Sequence, residues 1–283
     1  MELEKRFDLQ AALAGARPPA SRKQVNRLVE RFVGARADPQ VVVLEGFHPI
    51  KHALRFGGEL EVVAAELGGE LGELLESHAP DLAQAVLAKT VWLQRRDFAR
   101  MGAYLPHTGV VGIARRPRYL LAELLERRQA PVIVLEDPRH RGNLGAVVRV
   151  AAAAGAAGVV TVGGVDPWHP TTVRGAVGLH FALPVVAADL EQLLASGRPL
   201  LALDPEGEPV RPRLLPRDGL YLFGSERHGL SDRARAVADR RLALPMRPGV
   251  SSLNLATTAA ALLYLLQLCG EGDGEAGEKL ERR

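Results

Sequence analysis

Asn143 and Arg149 stand six residues apart in RHRGNLGAVVR (139–149), where a polar loop feeds an apolar helix. An asparagine at the mouth of a helix ordinarily caps free N–H groups. An arginine between Val148 and Val150 is harder to place on such a helix. It must find a counter-charge, reach solvent, or meet an anionic ligand. A second loop, LFGSERHGLS (222–231), ends an apolar strand in Gly224-Ser225-Glu226. Glycine at a strand end lets backbone approach a ligand closely, and Glu226 beside Arg227 reads equally as a cap or a local ion pair. A third loop, LPMRPGVSSLNLA (244–256), crowds Ser251, Ser252 and Asn254 into the start of a long apolar run, although one cap would suffice. Taken singly, each loop is ambiguous between punctuation and chemistry.

The elements that must carry these loops alternate along the chain. From Ala130 onward, APVIVLED, VVTVGG, LPVVAA, PLLALDP, GLYLFGSE and RLALPM read as short buried strands, separated by helical segments. That alternation predicts an α/β domain of 130–269 with a mostly parallel sheet, whose ligands sit at the carboxyl ends of the strands. Upstream, VVVLEG, LEVVAAEL, TVWLQ and GVVGIARR alternate with two helical stretches and predict a smaller α/β domain over 38–116 with a mixed or parallel sheet. PRYLLAELLERR makes 117–129 a linker helix. The stretch 1–37 reads as a helical extension carrying six basic residues against Glu30 between Arg17 and Ala37. Lys23, Arg27 and Arg31 share one helix face there, opposite Val25, Leu28, Val29 and Phe32; a solvated face and a phosphate-contacting face both fit. The Gly- and Glu-rich stretch 270–283 is expected to be disordered.

The 283-residue chain carries a net charge of +3, a mild basic bias that permits an anionic partner without requiring one. Cys269 is the single cysteine, which excludes an intrachain disulfide and a cysteine-rich zinc site and fits a reducing cytoplasm. The charged start MELEKRFDLQ does not resemble a signal peptide, and the apolar run 255–268 falls short of the roughly 20 residues that span a bilayer. A core or subunit-interface helix is the expectation for it. No G-x-G-x-x-G follows an early strand, which argues against an ordinary dinucleotide-type fold.

In this order, Asn-Leu-Gly-x-x-x-Arg (143–149), Gly-Ser-Glu-x-x-Gly-Leu (224–230) and Pro-Met-x-x-x-x-x-Ser-Leu-Asn (245–254) closely resemble the three motifs of the SpoU (TrmH-like) branch of the SPOUT RNA methyltransferases. VVVLEGFHPIKHAL and HTGVVGIARRP look like the two ends of the ribosomal-protein-like substrate-binding domain that often precedes the catalytic one. The resemblance implies a trefoil-knotted catalytic domain that binds S-adenosylmethionine mostly through loop backbone. Gly224, Ser225, Leu244, Pro245, Met246, Ser252 and Leu253 would form that pocket. It implies transfer of a methyl group to a ribose 2′-hydroxyl of RNA without a metal. Arg149 would have the central role, as base or as phosphate and alkoxide anchor, with Asn143, Glu226, Asn254 and Ser252 completing the catalytic set. Arg22, Lys23, Arg27, Arg31, Arg139 and Arg141 are the RNA-binding candidates. The resemblance also implies a homodimer built on the first and last catalytic-domain helices, with both chains contributing to each site. Family members often carry Arg-x-Ser-x-Gly where this chain has Arg174-Gly-Ala176-Val-Gly178. Ribosomal RNA is the expected target, with transfer RNA as the alternative. An inactive RNA-binding protein of the same fold and a base-methylating relative are the rival readings.

Overall fold

The structure, a computed structural model, describes residues 19–102 and 104–280, with side chains described as far as 269. The chain divides into two compact units between Pro117 and Arg118.

In the first unit, helix α1 (Arg22–Ala35) begins in a capping box, in which Ser21 and Gln24 satisfy each other's backbone donors. Its apolar stripe of Val25, Leu28, Phe32 and Ala35 is buried against Val43, Ala64, Val111 and Ile113 of the sheet. The basic helix read as part of an extension is thus a core element of this unit. Strands β1 (Val41–Glu45), β2 (Leu60–Glu66), β3 (Thr90–Leu93) and β4 (Val110–Arg115) form a sheet in the order β1-β4-β2-β3. Only the β2–β3 pair is parallel, so the sheet is mixed. Helices α2 (Phe47–Arg55), α3 (Leu71–His78), α4 (Ala83–Ala88) and α5 (Arg95–Phe98) connect the strands.

The second unit opens with a short helix, α6 (Leu121–Glu126), the only helical part of the segment read as a linker helix. Six strands follow: β5 (Val132–Glu136), β6 (Gly158–Val162), β7 (Val185–Ala188), β8 (Leu200–Pro209), β9 (Leu220–Phe223) and β10 (Arg240–Ala243). They lie in the order β10-β8-β9-β5-β6-β7, and every neighbouring pair is parallel. Parallel strands buried on both faces read as near-continuous apolar runs, as VIVLE, GVVTV and LYLF do apart from Glu136 and Thr161. Helices α7 (Arg141–Ala153), α8 (Pro170–Gly175), α9 (Leu190–Leu194) and α10 (Asp232–Val237) are the remaining connections, and α11 (Leu255–Leu280) closes the unit. Helix α11 continues through the 270–280 stretch that composition marks as disordered, and residues 281–283 lie outside the described residues.

The chain moves outward through β5, β6 and β7, then returns to place β8 and β9 on the other side of β5. Such a reversal opens a crevice at the carboxyl ends of the strands flanking it. Here those strands are β5 and β9, with β8 and β10 beyond.

Candidate active site

Strand β8, the ends of β9 and β10 with the loops that follow them, and the first turns of α7 and α11 converge on one cavity of about 590 Å³, entirely within the second unit. Its walls include Leu203, Asp204 and Pro205 from β8, Phe223 to Arg227 after β9, Leu242 to Leu244 and Met246 after β10, and Ser252 to Leu255 at the start of α11. Asn143 reaches it from α7.

Each loop owes its shape to a local device. After β5, Asp137 takes φ 44°, and its N–H donates to Val162 at 2.8 Å, so the chain turns sharply off the strand. Helix α7 is capped by His140, whose Nδ1 accepts from the Asn143 N–H at 3.2 Å. Asn143 is therefore not the cap that its position suggests, and its side chain is left for other work. After β9, Ser225 and Gly229 exchange two backbone hydrogen bonds of 2.9 and 3.0 Å, folding 225–229 into a tight turn. A Cβ on Gly224 would stand 2.1 Å from the Gly229 carbonyl carbon, so no other residue fits there without opening the turn. Before α11, Asn254 Oδ1 accepts from the Ala256 and Thr257 N–H groups at 2.9 and 3.4 Å. The cap is thus Asn254, which leaves the exposed Ser252 on the cavity wall with no part in the capping.

Three residues from the three sequence motifs meet in one hydrogen-bonded chain. Asn143 Nδ2 donates to Glu226 Oε1 at 2.9 Å, and Asn254 Nδ2 donates to Asn143 Oδ1 at 3.2 Å. Because Asn254 Oδ1 is occupied by the helix cap, its amide orientation is set, and through it that of Asn143. Asn143 is thus bonded to residues 83 and 111 positions along the chain, Glu226 and Asn254. The frame behind it is equally specific: Glu136, at the end of β5, accepts from Ser231 N and Oγ at 2.8 and 2.6 Å, tying that strand to the start of α10. Helices α7 and α8 approach closely at Gly145, where a Cβ would lie 2.5 Å from the Thr172 carbonyl oxygen.

Of the expected cofactor residues, Gly224, Ser225, Leu244, Met246, Ser252 and Leu253 line the cavity, whereas Pro245 does not. Arg149 is also outside the lining; it is exposed on α7 and makes no hydrogen bond or ion pair with another described residue. Arg139 is paired with Asp137 at 2.9 Å, while Arg141 is exposed. In the first unit Arg22, Lys23 and Arg27 are exposed on α1. Arg31 is committed elsewhere: its Nε and Nη2 each lie 2.5 Å from a carboxylate oxygen of Glu61. That pairing raises the Arg31 pKa and lowers that of Glu61, in both cases chiefly through the shared hydrogen bonds. Ala176, where the resemblance leads one to expect serine, is fully buried, and its nitrogen lies 2.9 Å from where a Gly145 Cβ would stand. Sequence reasoning missed Asp204, Arg227 and Thr258 on the cavity wall. The Asp204 signal was legible: a charged residue at the carboxyl end of an apolar strand in the same sheet.

Residues 130–264 match the SpoU rRNA methylase family. The second unit carries that family's domain. It is 28% identical over 260 residues to the 23S rRNA (adenosine(1067)-2'-O)-methyltransferase of Streptomyces laurentii, covering 85% of this chain and 90% of the relative. The crystal structure of an RNA 2'-O ribose methyltransferase superposes with a TM-score of 0.68 at 29% identity, covering 86% of this chain and 93% of the other. The fold is also that of the SpoU methyltransferase AviRb from Streptomyces viridochromogenes, solved with AdoMet: TM-score 0.69, 24% identity, 85% and 96% coverage. The three loops whose side chains meet at Asn143 all lie within the matched residues 130–264.

Proposed function

We infer that this SpoU protein is an S-adenosylmethionine-dependent RNA methyltransferase acting on a ribose 2′-hydroxyl, with ribosomal RNA as its substrate. The observation that carries the reading is the Glu226–Asn143–Asn254 chain beside an apolar cavity at the carboxyl edge of a parallel sheet. Volume and lining suit a nucleoside-sized ligand: apolar side chains from Leu203, Phe223, Leu242 and Leu253, with loop backbone between them. Gly224, Ser225, Leu244, Met246, Ser252 and Leu253 would hold S-adenosylmethionine, which when bound supplies an activated methyl on a sulfonium. The trefoil knot expected of the family belongs to the same reading.

The chain's own residues must then hold a ribose hydroxyl in line with that methyl and draw off its proton, and orientation accounts for a large share of the rate. Asn143, with both ends of its amide fixed, orients the ribose edge. Glu226 keeps the 224–229 turn closed over the cavity. Arg149 anchors the adjoining phosphate and stabilises the developing alkoxide, a role that suits a guanidinium whose pKa normally exceeds about 12.

Arg149 lies outside the cavity lining of its own chain, which favours a homodimer in which α7 and α11 pack across a two-fold axis. Tyr264 and Leu268, 45% and 66% exposed on α11, supply apolar surface for that contact. Each Arg149 would then serve the partner's cavity. Exposed Arg22, Lys23, Arg27 and Arg141 form the phosphate-contacting surfaces on their respective units. Among the described residues no helix is long and apolar enough to cross a membrane, and the cytoplasm is the compartment this function implies.

The test is incubation with methyl-labelled S-adenosylmethionine and total RNA, followed by nucleoside identification. A labelled 2′-O-methylnucleoside in ribosomal RNA is expected. A labelled base would refute the ribose assignment, and label confined to small RNA would move the substrate to transfer RNA.

A further inference from the structure

Asp204 is 6% exposed and lines the cavity, yet none of the three motifs contains it. It sits in an irregular stretch of β8. Arg241 of β10 pairs with Ala202, but the next residue, Leu242, pairs with Glu208, so 203–207 bulge out of that ladder. Gly207, within the bulge, lies so close to Arg241 that a Cβ would be 2.5 Å from the Arg241 carbonyl carbon. The bulge brings Leu203, Asp204 and Pro205 onto the cavity wall.

The Asp204 carboxylate joins three walls. Oδ1 accepts from the Glu206 N–H at 3.0 Å and holds the bulge itself. Oδ2 lies 3.2 Å from Arg235 Nε, on α10, and 3.5 Å from Arg241 Nη1, on β10. Arg235 in turn lies against the turn after β9, its Nη2 3.6 Å from where a Gly229 Cβ would stand. One carboxylate thereby sets the spacing of 203–205, 224–229 and the strand that leads into 244–246. Burying the Asp204 carboxylate has a desolvation cost that attraction to two partly exposed guanidiniums roughly offsets, so stability does not explain it. Geometry does. A cavity that reads its ligand through backbone groups cannot correct a misplaced wall by changing rotamers, and small displacements there cost disproportionately.

We propose that Asp204 is a positioning residue for the cofactor, holding the β8, β9 and β10 walls of the cavity at the separation that S-adenosylmethionine requires. The inference rests on the reading of this cavity as the cofactor site. Asp204 acts through Arg235 and Arg241, with no direct part in methyl transfer.

The test uses the full chain, with S-adenosylmethionine and S-adenosylhomocysteine binding measured by calorimetry and methyl transfer measured on total ribosomal RNA. Asp204→Ala is expected to weaken both ligands about tenfold and to raise KM for the cofactor, with kcat at saturating cofactor and KM for RNA within about twofold. Asp204→Asn, which keeps an acceptor oxygen, restores part of the loss. If Asp204→Ala does not fold, Arg241→Met removes one arm alone and is expected to weaken cofactor binding about threefold. Unchanged cofactor affinity in Asp204→Asn and Arg241→Met overturns the proposal, as does a fall in kcat with KM unmoved. A wild-type chain that binds neither ligand refutes the cofactor site itself. Wild-type binding matched by the variants refutes only the role of Asp204.

Discussion

At the residue scale, the site depends on amide orientation and on one glycine. Asn254 both caps α11 and donates to Asn143, so Asn254→Ala removes a cap and an orienting donor together. Cap loss alone costs about 1 kcal/mol, read from the denaturation midpoint, and activity should fall further than stability does. Arg149→Ala has the opposite signature. It should abolish methyl transfer while calorimetric cofactor affinity stays unchanged, because Arg149 is outside the cavity lining; retained turnover would remove it from the mechanism. Gly224→Ala places a methyl group on Gly229 backbone and should eliminate cofactor binding in an otherwise folded chain. These residues were legible as motifs, since type and spacing are properties of the chain. Their partners were not. Nothing in the spacing of His140 and Asn143 says that the histidine takes the cap and frees the amide.

At the element scale, the basic face of α1 divides. Arg22, Lys23 and Arg27 are exposed, whereas Arg31 binds Glu61 on β2. Replacing the first three with alanine should weaken RNA binding and flatten its salt dependence. The slope of log affinity against log salt should fall by about 0.7–0.9 for each phosphate that is no longer neutralised. An unmoved slope would make this face a solvated one. Arg31→Ala should instead act on stability, weakly, since the pair is partly exposed, by about 0.5 kcal/mol. Its pH dependence follows from the lowered Glu61 pKa. The unfolded chain binds the proton more tightly, so the stabilisation is present above the ordinary glutamate pKa near ~4.3 and is lost as pH falls through the lower folded value. Wild type and Arg31→Ala should therefore converge in stability in acid. Four-residue spacing predicted that these side chains share a face, but a cross-element carboxylate lies beyond what helical periodicity can reveal.

At the scale of the whole molecule, the second unit is pinned by Arg198, 4% exposed, whose guanidinium donates to the carbonyls of Leu125, Arg127, Ala130 and Asp218. Burial lowers its pKa from the ordinary arginine value, yet the surrounding carbonyls satisfy the charge. Arg198→Met should cost about 3 kcal/mol or more in chemical denaturation, because those carbonyls lose their donor in a buried place. The alternation of strands and helices, a mostly parallel sheet in the second unit and three polar loops at its carboxyl edge were legible in the residues alone. Periodicity and motif are local, and parallel strands are recognisable from their unbroken apolar runs. Folding in three dimensions is what makes β8 bulge to bring Asp204 to the cavity, pairs Arg31 and Arg139 with carboxylates, and leaves Arg149 outside the lining of its own chain's cavity. Apart from the Arg139–Asp137 pair, two residues apart, those outcomes depend on which distant residues are brought together. Partner choice follows from strand order and packing geometry, which no local pattern of residue types encodes.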